Sequence, residues 1–252
     1  MRNAQKIGSV MRGNCPFNFG GGRSDFSTVW SSIDEPVCNL MAGGGGIWSN
    51  LMSRDIVVND ICKPLIEFQQ IVYELGDISS IVSSLYAITG KVDTREDYED
   101  LRMRFNDTGD PVLYMSLISC CNNNQPRFNK DGGFNQTWGR RKFNHNQERK
   151  LWDFKRRIAN KSVVFILGDY ASVKIRDRMV IASPPLSWKP EKIRELTDFV
   201  TPHRHLILLT EESNVGKKAK MMTSKDLDRA FAYRAITNIP GLKIPFGNNS
   251  LF

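Results

Sequence analysis

The sequence predicts a Rossmann-like α/β fold interrupted by an insert of helices and a basic, turn-rich hairpin. Three observations lead there. Near the start, the strand-like run Val37 to Met41 meets a glycine run, Gly43 to Gly46, and a second strand-like run, Asp55 to Val58, leads into Asn59-Asp60. With the helix-patterned stretch after it, this is the pattern of an α/β nucleotide-binding unit. The middle of the chain reads as helices only, followed by a glycine turn set among aromatics and arginines. Strand-type segments then return after residue 160.

Taken in order, Gly20 to Arg23 and Gly43 to Gly46 are loop signals. Pro64 to Leu75 places Leu65, Phe68, Ile71, Val72 and Leu75 at helical spacing. Ile78 to Ala87 and Thr94 to Phe105 read as helices, and Asp110-Pro111 starts another through Leu117. The segment FNKDGGFNQTWGRR, Phe128 to Arg141, joins an Asn-Lys-Asp-Gly-Gly turn to two aromatics and two arginines. Gln147 to Asn160 is a charged helix carrying Leu151, Trp152 and Phe154. Strands are expected at Ser162 to Leu167, Arg178 to Ala182 and His205 to Leu209, with helices at Glu191 to Val200 and Ser224 to Tyr233. The expected division is an α/β domain at 1–72 and 160–252, with an insert at 73–159.

The formal charge is +8, with an isoelectric point near 9.3, which favours a polyanionic partner. The excess is concentrated. Arg127 to Arg178 holds 14 Lys/Arg against 5 Asp/Glu, a net of +9. Beside a glycine turn and aromatics this suggests a phosphate-tracking surface, the alternative being a solvated basic face. The 5 cysteines form no CxxC pair, and the 3 histidines lack metal partners at ligand spacing. No metal site and a reducing compartment are expected. No apolar run is long enough to span a bilayer, and the N-terminus lacks a signal-peptide core. A soluble intracellular protein is expected.

Several segments, in this order, resemble the Dam-type (D12 class) DNA adenine-N6 methyltransferase family, especially its phage branch. PFNFGGGR, Pro16 to Arg23, resembles the N-terminal PFxxxGGK segment that contacts S-adenosylmethionine. NLMAGGGGIW, Asn39 to Trp48, resembles the glycine motif after the first strand. VVNDICKP, Val57 to Pro64, resembles the acidic motif after the second. RFNKDGGFNQTWGRR, Arg127 to Arg141, resembles the recognition hairpin RxNxxGxFNxPFGxR, and IASPPL, Ile181 to Leu186, stands where the catalytic DPPY belongs. The resemblance implies an S-adenosylmethionine-dependent methyltransferase fold with an inserted DNA-recognition domain. It implies cofactor contacts from Phe17, Gly21, Arg23, Asn39, Gly43, Gly45 and Asp60. It implies double-stranded DNA as partner, held by Arg127, Asn129, Trp138, Arg140, Arg141, Lys142, Arg156 and Arg157, and a chemical step at Ser183, Pro184, Pro185 and Leu186. Phage origin would place the protein in the bacterial cytoplasm.

Each segment has a physical reason and an ordinary alternative. A glycine loop lets a cofactor approach backbone that a Cβ would block. Asp60 can accept from ribose hydroxyls, or Asn59 or Asp60 can cap the helix that follows. Arg127 suits guanine and Asn129 suits adenine in the major groove, or Asn129, Asp131 and Gly132 simply build a turn. Phe134 is expected to pack, Trp138 is open between packing and stacking, and Arg140, Arg141, Lys142, Arg156 and Arg157 suit phosphates.

In the family, an Asp carboxylate and the next backbone carbonyl accept the amine hydrogens of a flipped adenine while a Tyr stacks on the base. Here Ser183 has no charge and Leu186 no π face, although cytosine-N4 methyltransferases resemble Ser183-Pro184-Pro185 in using SPP. Asn39 replaces the acid that contacts the methionine amino group. Ser187-Trp188 leads straight into the next helix without the family's loop, and Asn248 to Phe252 resembles a closing strand stripped of its acids. The expectation is a DNA-binding member with weakened or lost methyl transfer, a degenerate pseudoenzyme. The alternatives are an active adenine-N6 or cytosine-N4 amino-methyltransferase, and a methyltransferase-like subunit working through protein partners in a viral assembly or transcription complex.

Overall fold

VCNL and MVIA are four-residue runs in which every residue is buried. Such runs suit central strands of a parallel sheet covered on both faces. In the computed structural model, which describes residues 30–31, 33–185, 188–200, 206–211, 222–223 and 233–237, they are β1 (Val37–Leu40) and β4 (Met179–Ala182). They pair in parallel, Val37 opposite Met179 and Leu40 opposite Ala182. The other strands are β2 (Asp55–Asp60), β3 (Ser162–Leu167), β5 (Leu206–Glu211), β6 (Met222–Thr223) and β7 (Tyr233–Thr237). The sheet runs β3-β2-β1-β4-β5-β7-β6. Strands β1 to β5 are mutually parallel, β7 lies antiparallel to β5, and β6 antiparallel to β7. This is a Rossmann-like α/β sheet, as the sequence predicts.

The two-residue period of the strands divides the core in two. Val37, Ile56, Val58, Met179 and Ile181 face one cluster, which helices and the hairpin cover. Cys38, Leu40, Val180 and Ala182 face the other, closed by Tyr170, Val173, Leu196 and Val200.

The helices are α1 (Lys63–Glu74), α2 (Ser79–Gly90), α3 (Arg95–Thr108), α4 (Pro111–Cys120), α5 (His145–Ile158) and α6 (Pro190–Val200). Local chemistry sets their ends. A capping box of Thr94 and Asp97 starts α3, and Gly109 in left-handed conformation ends it. Asp110 caps α4 by accepting from Val112 and Leu113, and Asn144 caps α5. The last turn of α5 carries Lys155, Arg156 and Arg157, which the helix dipole favours. Every residue of α4 from Leu113 to Cys120 is buried, so it forms the hub of the segment between β2 and β3.

The expected elements are found with ends shifted by a few residues, with one correction. Tyr233 was expected to end a helix. It opens β7 instead, opposite Glu211, and YRAIT pairs along β5. Cross-strand pairing with β5 overrides the local helical pattern there. The rest of that expected helix, residues 224–232, lies outside the described residues.

The turn after β1 needs two glycines, for different reasons. Gly43 has φ +54° and faces open space, so only its backbone demands glycine. Gly45 has φ +81°, and a Cβ there would sit 2.8 Å from Phe154 Cε2, 2.9 Å from Gln69 Oε1 and 3.0 Å from Trp48 Nε1. The missing side chain at Gly45 therefore makes room for the protein's own core. Gly43→Ala is expected to cost about 1–2 kcal/mol of backbone strain. Gly45→Ala is expected to cost about 3 kcal/mol, because overpacking adds to the same strain. Urea unfolding midpoints check the ordering, and equal losses would show that the Gly45 contact relaxes freely.

Candidate functional site

Parallel pairing brings the carboxyl ends of β1, β2 and β4 to one edge of the sheet, where α/β folds hold ligands. Backbone bonds knit the edge together. Ala42 N–H donates to Asn59 O at 2.8 Å, and Ser183 N–H donates to Leu40 O at 3.3 Å. Asn39, Gly43, Asp60 and Ser183 are thus gathered from three sequence segments.

Asp60 braces this edge. Oδ2 accepts from Gly43 N–H at 2.8 Å, and Oδ1 accepts from Cys62 N–H at 2.9 Å. The helix-capping alternative fails in its simple form: the cap of α1 is Cys62, with no side-chain bond. Asp60 sits just ahead of it and ties the glycine turn to the chain entering α1. The carboxylate keeps acceptor capacity for a further donor beyond these amides.

Gln69 was not anticipated. It is fully buried on the apolar face of α1. Its Nε2 donates to Gly43 O at 2.9 Å, and its Oε1 accepts from Trp48 Nε1 at 2.9 Å. The available signal was an uncharged polar residue within the stripe of Leu65, Phe68 and Val72.

Asn39 is fully buried in β1. Its Nδ2 donates to Ile181 O at 3.1 Å on β4 and, more weakly, to Leu40 O at 3.4 Å. Its Oδ1 is buried with no partner among the described residues. Ser183 is half-buried, Pro184 buried and Pro185 exposed. Leu186, Phe17, Gly21 and Arg23 lie outside the described residues.

The hairpin is loose. Two isolated antiparallel bridges, Cys121 with Trp138 and Phe128 with Phe134, join its arms. Its tip is self-satisfied. Asn129 Oδ1 accepts from Gly133 N–H at 2.7 Å and Asp131 N–H at 3.1 Å, while Asn129 N–H donates to Gly133 O at 2.8 Å. The turn thus uses the oxygen that a bidentate adenine contact would need. Arg127 is braced by Asn135, through Nε to Oδ1 at 2.9 Å and Nη2 to the carbonyl at 2.8 Å. Its side chain is exposed, and Nη1 makes no hydrogen bond among the described residues. Phe134 packs as expected, its ring 5.6 Å from Phe128 and 6.0 Å from Phe105. Asn106 holds the Phe134 peptide at both its N–H (2.8 Å) and its carbonyl (3.2 Å).

Several of the basic residues already have partners. Lys142 donates to Asp93 Oδ1 at 2.7 Å and Gly90 O at 2.8 Å. Arg141 reaches Asn124 Oδ1 at 2.9 Å, and Arg156 pairs with Asp153. Arg157 is half-buried. Arg140 is exposed, lies 5.9 Å over the Trp138 ring, and has no carboxylate partner among the described residues. The same residues hold no cluster of metal-ligand side chains, and no helix is long and apolar enough to cross a membrane.

The model of the D12 class N6 adenine-specific DNA methyltransferase family matches residues 27–180. Relatives include DNA adenine methylases of Salmonella typhi and Salmonella typhimurium, each 25% identical over 197 residues, covering 75% of this chain and 68% of the relative. Among solved structures, the rRNA methyltransferase aviRa from Streptomyces viridochromogenes is 10% identical with a TM-score of 0.39, over 86% of this chain and 82% of its own.

Burial raises the Asp60 carboxyl above its ordinary value, outweighing the amides of Cys62, Gly43 and Ile61, which lower it. A carboxyl raised on folding contributes stability below its unfolded value and loses it as pH rises through the folded one. The stability of the parent relative to Asp60→Asn is therefore expected to fall as pH rises just above the ordinary carboxylate range. Urea titrations across that range check this, and a difference flat with pH would mean an unshifted carboxyl.

Proposed function

Because this chain belongs to the D12 class N6 adenine-specific DNA methyltransferase family, we propose that it is a DNA-binding member of that family in which methyl transfer is weakened. The observation that carries this reading is Asn39. Next to the last residue of β1, it is a buried neutral carboxamide whose nitrogen is already committed to Ile181 O.

Three features of the strand-end edge suit S-adenosylmethionine, none of them a negative charge at position 39. Gly43 leaves open space at its α-carbon, Asp60 has acceptor capacity for ribose hydroxyls, and Asn39 Oδ1 is an orphaned acceptor suited to an ammonium group. The cofactor supplies an electrophilic methyl group on sulfonium. Asn39 answers the ammonium with a neutral bond rather than a charge-assisted one, a loss of about 1–1.5 kcal/mol. Ser183 accepts an amine hydrogen without carboxylate charge, and Leu186 removes base stacking, a further loss of about 1–3 kcal/mol. Together these losses correspond to roughly two to three powers of ten, which weakens transfer without abolishing it.

A second reading has its own support. The open α-carbon of Gly43 and the SPP sequence suit an active amino-methyltransferase acting on adenine N6 or cytosine N4. In either case residues 73–159 serve as the target-recognition insert. Arg127, exposed and with Nη1 unbonded among the described residues, is the base reader, while Arg140, Arg141, Lys142, Arg156 and Arg157 face phosphates. Asn129 acts by shaping the turn.

Tritiated methyl incorporation into unmodified duplex DNA is expected to be slow and to rise at least about tenfold in a Ser183→Asp, Leu186→Tyr double variant. Unaltered protein turning over as fast as that variant would overturn the weakened reading. Duplex affinity is expected to fall with salt on a log–log slope near −4, for about four phosphates contacted. Arg127→Ala should flatten sequence preference, and Arg156→Ala should weaken all duplexes alike. Mobility shifts across a salt series check both, and a salt-independent shift would remove the phosphate contacts.

A further inference from the structure

Away from the strand ends lies a cleft of about 440 Å³, lined by Val92, Asp93, Trp138, Arg140 and Lys142. It is formed where the α2–α3 connection meets the outgoing arm of the hairpin. Its volume falls within the roughly 300–1,000 Å³ of small-molecule sites. No residue gathered at the strand ends lines it.

The lining chemistry is specific. Trp138 offers an indole ring, with the Arg140 guanidinium 5.9 Å from its centroid. Arg140 holds a left-handed backbone, φ 55°, which is rare for an arginine and sets the direction of its side chain. Lys142 is pre-positioned: Asp93 Oδ1 and Gly90 O each accept one ammonium hydrogen, which leaves one free. Trp138 Nε1 is buried without a partner among the described residues. Two cations, an aromatic ring and one carboxylate around one cleft match a single nucleotide, with its base on the ring and its phosphate between the cations.

We propose that this cleft binds one unstacked nucleotide, separately from any base held at the strand ends. The proposal rests on the DNA-binding reading for its natural source, a nucleotide displaced from the bound duplex, although a free mononucleotide carries the same chemistry. Trp138 stacks on the base, and Arg140 and Lys142 hold the phosphate. Asp93 keeps Lys142 in place and offers its second oxygen to base amino hydrogens.

The full chain is titrated with AMP, GMP and inorganic phosphate, following tryptophan fluorescence. It is also titrated with a fully paired duplex and with the same duplex carrying one bulged nucleotide. The bulged duplex is expected to bind about tenfold tighter. Trp138→Leu and Arg140→Ala should erase that preference, and Trp138→Phe should keep most of it. Quenching by mononucleotide without a bulge preference assigns the site to free nucleotide. Inorganic phosphate quenching as well as mononucleotide does would overturn the base-binding role. Paired-duplex binding with neither bulge preference nor quenching sinks this cleft alone. Quenching without any duplex binding keeps the cleft and sinks the DNA-binding reading.

Discussion

The peptide of Gly43 is held from both sides, and the candidate cofactor edge depends on it. Asp60 takes its N–H and Gln69 donates to its carbonyl. Gln69 also accepts from Trp48, whose ring meets Phe154 and Phe165 edge-on at 5.2 and 5.8 Å. One buried amide thus joins β2, α1, α5 and β3 to the turn after β1. Buried polar groups of this kind are costly when unpaired, so the arrangement resists change as a unit. The turn's left-handed residues persist because the surroundings over-determine them.

The same logic governs the hairpin. Its arms share little ladder pairing, so side chains carry the structure: Asn129 at the tip, Asn135 on Arg127, Asn106 on Phe134. This changes the meaning of the recognition motif. Asn129 spends its amide oxygen on the turn itself, so under the proposed reading it shapes the hairpin tip rather than reading a base. The basic excess near the hairpin is likewise divided. Lys155 and Lys142 bond to backbone carbonyls at Tyr73 and Gly90, and Arg140 keeps its charge for a partner.

Much of this was legible in the sequence. The alternation of Val37 and Cys38, or Val180 and Ile181, places strands and faces because side-chain direction has a fixed period. Thr94 and Asp110 announce helix starts because a cap is a local bond, whereas the helix capped by Asn144 was expected only from Gln147. Residues 222–223 and 233–237 were not legible as strands, because β7 exists through antiparallel pairing with β5 and β6 through pairing with β7. Gln69 and Asn106 were missed for a related reason: each looks like an ordinary helical polar residue until its partners, 26 and 28 positions away, are known.

By itself the sequence determined the α/β class, the order of the motifs and the loss of charge at positions 39 and 183, since residue identity and short-range periodicity are one-dimensional properties. Only the tertiary structure decided which polar atoms remain available. Asn39 spends its nitrogen on Ile181, 142 positions away. Asp60 ties down the glycine turn, Gly45 yields its space to Phe154, and Trp138, Arg140 and Lys142 line a cleft with Asp93. A hydrogen bond or a packing contact depends on distance in space, and the parallel sheet brings remote segments within that distance.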